Sequence, residues 1–74
     1  MIESTREVIA RLRAEGFDLD DSALRYLLRS YRCAPPDRRA GTLFLWSDAD
    51  VDRLKSALWR TGRGPQVIHA EGVR

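Results

Sequence analysis

The chain contains one cysteine and one histidine among its 74 residues. A lone Cys33 cannot form an internal disulfide, and one histidine with one thiol falls short of a zinc site or a histidine-based catalytic triad. His69 also lies close to the end of the chain. These shortages predict that the protein is not an enzyme and needs neither a metal nor another cofactor.

Long apolar runs are also missing. No stretch approaches the roughly 18 apolar residues that a membrane span requires. The first residues, Met-Ile-Glu-Ser-Thr-Arg-Glu, lack the basic and then apolar layout of a signal peptide. Together with the unpaired cysteine, this predicts a single small domain in the reducing cytoplasm, with no membrane partner.

Positive charge is unevenly distributed, although the net charge is only +2. Residues 1–21 hold three arginines and six carboxylates, for a net −3, whereas residues 22–46 hold five arginines and one carboxylate, for a net +4. A nearly neutral protein can still present one basic face. The central block is therefore the candidate surface for a polyanion.

The first helix is predicted from a capping box at Ser4 and Glu7, in which each side chain bonds the other residue's amide. Apolar residues follow on one face, and Gly16 is the expected stop. Residues 17–19 then form a turn with two apolar anchors, and Asp20 or Asp21 is expected to cap a second helix.

The second helix is expected to run to about Arg32 and to have two adjacent faces. One face is apolar and should pack in the core; it comprises Leu24, Leu27, Leu28 and Tyr31. The other is cationic, with Arg25, Arg29 and Arg32, extended by Ser22 and Tyr26. Guanidinium and hydroxyl donors suit phosphate oxygens and base edges, although a charged face is often simply solvated.

A β-hairpin is predicted after Pro35-Pro36, which ends any helix. Its first strand is expected near residues 33–38, its tip should carry Arg38 and Arg39, and its second strand should include residues 42–46. Gly41 supplies the backbone angles of a tight connection. Leu43 and Leu45 should face one side and Phe44 and Trp46 the other, with one side packed on the helices.

A third helix is expected from Ser47, which has a carboxylate three residues on, to the break at residues 61–65. Residues 61–74 are expected to form a flexible tail, in which Val67-Ile68 is an alternative short strand. Trp46 and Trp59 suit either the core or a partner surface. Cys33 is expected to be buried or half-buried.

Three segments, at residues 4–12, 23–26 and 46–54, resemble the signature segments of the MerR-type winged-helix DNA-binding domain, which also occurs in small phage excisionases. They read Ser-Thr-Arg-Glu-Val-Ile-Ala-Arg-Leu, Ala-Leu-Arg-Tyr and Trp-Ser-Asp-Ala-Asp-Val-Asp-Arg-Leu. The resemblance implies a mostly α fold with a small β-hairpin, a winged helix-turn-helix over residues 1–60. Double-stranded DNA is the implied partner.

The resemblance also implies roles for individual residues. The second helix would enter the major groove through Arg25 and Arg29, with Tyr26 on a phosphate, and the wing would contact the flanking backbone or minor groove. The full set of candidate DNA-binding residues is Arg6, Ser22, Arg25, Tyr26, Arg29, Arg32, Arg38 and Arg39. Three departures stand out: a longer connection over residues 13–19, Phe44 where many relatives have arginine, and no long coiled-coil helix for effector sensing.

Three functions follow as alternatives. The first is a small transcriptional regulator that binds DNA sequence-specifically, and the second is an excisionase-like recombination directionality factor that bends DNA. Self-association or tandem binding on DNA is expected in either case, because a monomer has few positive charges. The third is a protein-interaction module that uses Phe44, Trp46, Trp59 or the tail.

Overall fold

The fold was examined in a computed structural model, which describes residues 2–65. Three helices and a three-stranded antiparallel sheet make up this part of the chain. In chain order the elements are β1 (Glu3–Ser4), α1 (Thr5–Ala14), α2 (Asp21–Arg29), β2 (Arg38–Ala40), β3 (Leu43–Trp46) and α3 (Asp48–Arg60). The three predicted helices and the hairpin are present, with about half of the described chain helical, and the order is compatible with a helix-turn-helix followed by a hairpin.

Helix α1 begins at the predicted capping box. The Ser4 amide donates to Glu7 Oε1 at 2.8 Å, and the Glu7 amide donates to Ser4 Oγ at 3.2 Å. These bonds satisfy amides that a helix start otherwise leaves without partners. The helix ends just before Gly16, whose φ of +101° is one that residues with a Cβ rarely adopt.

The connection between α1 and α2 is anchored from both ends. Phe17 and Leu19 are buried, as predicted, and the Asp20 carboxylate caps α2 by accepting from the Ala23 amide at 2.8 Å. Asp20 rather than Asp21 is therefore the cap. The starting position of α2 is fixed by both apolar burial and a charge-assisted hydrogen bond.

Helix α2 ends at Arg29, one turn earlier than predicted. The Ser30 hydroxyl donates to the Tyr26 carbonyl at 2.7 Å, Tyr31 has a φ of +60°, and the amides of Arg32 and Cys33 both donate to the Leu27 carbonyl. This local bonding competes with helix continuation. The placement of Tyr31 in the core was wrong, because its side chain lies beyond the helix and is 92% exposed.

The hairpin is shorter and differently registered than predicted. Ala40 pairs with Leu43, so Gly41 and Thr42 form the tip, whereas Arg38 and Arg39 lie within β2. The expectation of a first strand at 33–38 with both arginines at the tip was wrong. The turn has only two residues and begins at Gly41, whose φ is +64°, so the strand before it comprises Arg38 to Ala40.

Strand β1 was not predicted. Glu3 pairs with Trp46 and Ser4 with Leu45, on the edge of β3 away from β2. The Arg11 guanidinium of α1 reaches the Glu3 carboxylate through two hydrogen bonds, at 2.6 and 2.9 Å. This two-residue strand is thus held by a paired backbone and by a bidentate ion pair.

Trp46 lies at the centre of the core with no exposed surface, and its indole Nε1 donates to Thr5 Oγ1 at 2.9 Å. The idea that Trp46 forms a partner surface was wrong.

Phe44, on the same face of β3, packs against the core and makes an edge-to-face contact with Trp46, whereas Leu43 is 65% exposed. The other core side chains are Val8, Leu12, Phe17, Leu19, Ala23, Leu24, Leu27, Cys33, Val51, Leu54, Ala57 and Leu58.

Helix α3 has the predicted capping box, formed by Ser47 and Asp50, and the predicted end before Thr61. Residues beyond it contact the α1–α2 connection: the Asp18 amide donates to the Arg63 carbonyl at 2.8 Å, and Arg63 pairs with the Asp18 carboxylate at 3.1 Å. Gly64 is buried against the ring of Trp59. The division into a domain at 1–60 and a tail at 61–74 stays a prediction, and Val67-Ile68 lies outside the described residues.

Replacing Thr5 by valine keeps the shape of the side chain but removes the acceptor for the Trp46 indole N–H. We expect the free energy of unfolding in urea to fall by about 1–3 kcal/mol, because a buried donor is left without a partner. Thr42→Val, in the exposed tip of the hairpin, is the matched control and should change stability little. An equal loss in both variants would contradict a structural role for the Thr5 bond.

Asp50→Asn tests the cap of α3 through its pH dependence. The Ser47 amide, the largest cause, lowers the pKa of Asp50 against the opposing effect of burial, with help from the Ser47 hydroxyl, Arg53 and Arg38. The charge of Asp50 therefore stabilises the fold above its ordinary pKa of about 4, and this contribution is lost as the pH falls through the lowered folded value.

We expect the difference in unfolding free energy between wild type and Asp50→Asn to be largest near neutral pH and to shrink below about pH 4. Chemical unfolding across a pH series measures this difference. Asp52→Asn removes an exposed carboxylate from the same helix and should cost much less at pH 7. A wild-type advantage that grows with acid would refute the assignment.

Candidate nucleic-acid interface

The outward face of α2 carries Ser22, Arg25, Tyr26 and Arg29, at the spacing of successive helical turns. All four side chains are exposed. Within residues 2–65, neither Arg25 nor Arg29 makes a hydrogen bond or an ion pair. Their guanidinium donors are therefore available to an external acceptor.

Arg32 was expected to continue this face, but it lies beyond the end of the helix. Its guanidinium carbon nevertheless stands 6.0 Å from the centre of the Tyr26 ring, within cation–π range. The turn after α2 therefore returns the Arg32 side chain to the outward face. The predicted set of residues on α2 is brought together, although not by a continuous helix.

We use the name wing for the β2–β3 hairpin, as a label only. Its two arginines have different surroundings. Arg39 lies opposite Phe44 in the ladder, and its guanidinium carbon is 4.8 Å from the centre of that ring. Arg38 lies opposite Leu45, on the other face of the sheet, where its charge is among the weaker causes, after the Ser47 bonds, that lower the pKa of Asp50. Arg39 is thus orientated by an aromatic ring, whereas Arg38 lies within the field of an internal carboxylate.

An open groove of about 640 Å³ separates the wing from the start of α1 and α2. Its lining includes Arg6, Arg13 and Arg25 together with Asp20 and Asp21. Phe44 lines the same groove, so the ring that supports Arg39 also faces Arg25. The groove therefore joins Arg6, the α2 face and the wing into one surface, which we call the wing groove surface.

Arg13 was missed by the sequence analysis. It is exposed, has no carboxylate partner among the described residues and lines the groove with Arg6. The signal was present, because two residues seven positions apart lie on the same face of a helix. Arg13 was instead assigned to the long connection before α2.

Most other cations of the described chain are engaged by carboxylates. The pairs are Arg11 with Glu3 and Glu15, Arg53 with Asp50, Lys55 with Glu15, and Arg63 with Asp18. None of the eight predicted site residues belongs to such a pair in residues 2–65. Apart from Arg60 on α3, the unpaired positive charge of residues 2–65 therefore lies on α2 and the turn after it, on the β2–β3 hairpin, and on the face of α1 that carries Arg6 and Arg13.

The two other candidate groups, Cys33 and Trp59, pack against the rest of the fold. Cys33 is buried as predicted, and burial raises the pKa of its thiol against the opposing charges of Arg53 and Arg60. Trp59 is 57% exposed but packs edge-to-face with Phe17. Within residues 2–65 there is no cluster of three metal-binding side chains, and none of the helices there is long and apolar enough to cross a membrane.

Comparisons with protein-family models, with curated proteins and with solved structures find no match to this chain.

Tyr31→Gly is expected to raise the free energy of unfolding by about 0.5–1 kcal/mol. A left-handed conformation costs an ordinary residue about 1–2 kcal/mol, which exceeds the cost of about 0.5–1 kcal/mol for ordering a glycine. Ser30→Gly is the matched control; Ser30 has a φ of −87°, and its hydroxyl bonds two carbonyls. It should lower stability, and a fall in both variants in urea unfolding would contradict strain at Tyr31.

Proposed function

We propose that the protein binds double-stranded DNA sequence-specifically as a small transcriptional regulator, with a winged helix-turn-helix formed by α1, α2 and the β2–β3 wing. The observation that carries the proposal is the pair Arg25 and Arg29, both exposed on one face of α2 and without a carboxylate partner in residues 2–65. The resemblance of three sequence segments to MerR-type domains supports the same assignment.

The chemistry of the α2 face suits a duplex. Arginine donates through a planar fork to the O6 and N7 acceptors of guanine or to two phosphate oxygens. We assign Arg25 and Arg29 to the major groove, with the hydroxyls of Ser22 and Tyr26 donating to neighbouring phosphates. Arg32, stacked on Tyr26, adds charge beside that hydroxyl.

The wing would add contacts to the flanking backbone or minor groove. Arg39 is the stronger candidate of its two arginines, because stacking on Phe44 limits the freedom that its side chain would lose on binding. Arg38 would act mainly as a diffuse positive charge. Arg6 and the additional Arg13 extend the surface across the groove, where a second backbone strand could lie.

Two alternatives differ in role or class. An excisionase-like directionality factor would use the same contacts but bend its site, which a circular-permutation gel assay with bound duplex would reveal. A protein-interaction module would rely on Trp59 and Phe44, but Trp59 packs on Phe17 and Phe44 supports Arg39. The contacts therefore favour DNA binding over an aromatic docking surface.

The Arg25→Ala/Arg29→Ala variant tests the proposal. Bound duplexes are first selected from a random pool, and affinity for the selected duplex is then measured by fluorescence anisotropy at several salt concentrations. Loss of a base-reading arginine should cost about 1–3 kcal/mol, and loss of a phosphate contact should reduce the salt slope by roughly one.

Lys55→Ala is the matched control, because it removes a cation that pairs with Glu15 on another part of the surface. Thermal unfolding establishes that each variant is folded. If the α2 variant binds the selected duplex as tightly and with the same salt slope as Lys55→Ala, the major-groove assignment is wrong.

A further inference from the structure

A second cluster of arginines surrounds a cleft between the turn after α2 and the side of α3. The cleft has a volume of about 300 Å³ and is lined by Arg32, Cys33, Ala34, Arg53, Ser56 and Arg60. Ser56 and Arg60 lie three and seven positions after Arg53, so the three residues share one face of α3. We call this site the α3 cleft.

The α3 cleft has more positive charge than its internal partners neutralise. Arg53 pairs with the Asp50 carboxylate, but Arg60 donates only to the Arg32 carbonyl, at 3.2 Å, among the described residues. The Arg32 guanidinium contacts only the ring of Tyr26 in that part of the chain. Neither Arg32 nor Arg60 therefore has a carboxylate partner among the described residues.

Cys33, which is 4% exposed, is the buried member of the residues that line the cleft. Burial raises the pKa of this thiol, so it supplies no competing anion at neutral pH. Ser56 adds a hydroxyl that can donate. At about 30 Å³ per water molecule, the volume accommodates a tetrahedral anion and some of its hydration water.

We propose that the α3 cleft binds a phosphate group of the DNA backbone, through the guanidinium groups of Arg53 and Arg60. Arginine forks match phosphate oxygens, and Arg32, which lines the same cleft, adds positive charge beside them. The source is the duplex rather than free phosphate, because Arg32 also contacts Tyr26 on the DNA-facing side of α2. This inference rests on the proposed function.

The first experiment examines the cleft without DNA. Inorganic phosphate is titrated into the labelled protein at constant ionic strength set with chloride, and the signals of the Arg53 and Arg60 Nε–H groups and of the Cys33 and Ser56 amides are followed by NMR. We expect saturable shifts in the wild type and in Lys55→Gln, and their loss in Arg53→Gln/Arg60→Gln. Glutamine at position 60 retains a donor for the Arg32 carbonyl, and thermal unfolding verifies the fold.

The second experiment measures the salt dependence of binding to the selected duplex. The double variant should reduce the slope by about one, as expected for one phosphate, while Lys55→Gln leaves the slope unchanged. Saturable phosphate shifts with an unchanged slope would assign the cleft to free phosphate and overturn the duplex assignment. Wild-type phosphate shifts no larger than those with chloride would overturn the site itself.

The two proposals fail in different ways. A reduced slope in the cleft variant, together with unchanged affinity in Arg25→Ala/Arg29→Ala, would support the cleft and refute the reading of the major groove by α2. The opposite pattern would support the groove assignment and refute the cleft. Arg60→Lys keeps the charge but loses the fork. A salt slope equal to that of the wild type, with a weaker affinity for the duplex, supports phosphate recognition by the arginine fork.

Discussion

The hydrogen bond from the Trp46 indole to Thr5 Oγ1 joins the last residue of β3 to the first residue of α1, 41 positions away in the chain. Trp46 also pairs with Glu3 of β1 and immediately precedes the cap of α3. Four elements therefore meet at one buried side chain. Because an unpartnered indole N–H would be costly inside a core, this bond fixes how the sheet lies against α1. The position of the wing relative to the helices depends on it.

The position of β3 also determines where the arginines of the hairpin lie in the candidate interface. β3 places Phe44 next to Trp46, with the two rings 6.4 Å apart, and Phe44 in turn supports Arg39. On the other side of the groove, the Asp20 cap and the buried Phe17 and Leu19 set the start of α2. The cations themselves contribute little to the fold. They are instead presented by neighbouring groups whose positions are determined by packing.

Some cations of the protein pair with carboxylates and others do not, and the two groups lie on different parts of the surface. Carboxylates of the chain neutralise Arg11, Lys55 and Arg63, which lie where β1, α1, α3 and the residues after α3 meet. The more exposed pairs, those of Lys55 and Arg63, add little stability each, so their main effect is on where uncompensated charge remains. That charge remains on α2, the wing, the start of α1 and the α3 cleft. A polyanion would meet these regions rather than the paired ones.

The sequence by itself determined the helix starts at Ser4 and Ser47 and the apolar anchors of the first connection, because capping and burial of nearby side chains are local interactions. It also identified Arg25 and Arg29 as neighbours, since helical periodicity relates residues within one element. Only the tertiary structure decided the end of α2 at Arg29, the exposure of Tyr31, the strand β1 and the different surroundings of Arg38 and Arg39. It also brought Arg32 to Arg53 and Arg60. The end of α2 and the exposure of Tyr31 depend on competition between local bonds, whose outcome the residue pattern does not give. The other features depend on contacts between distant segments, which no single window of sequence contains.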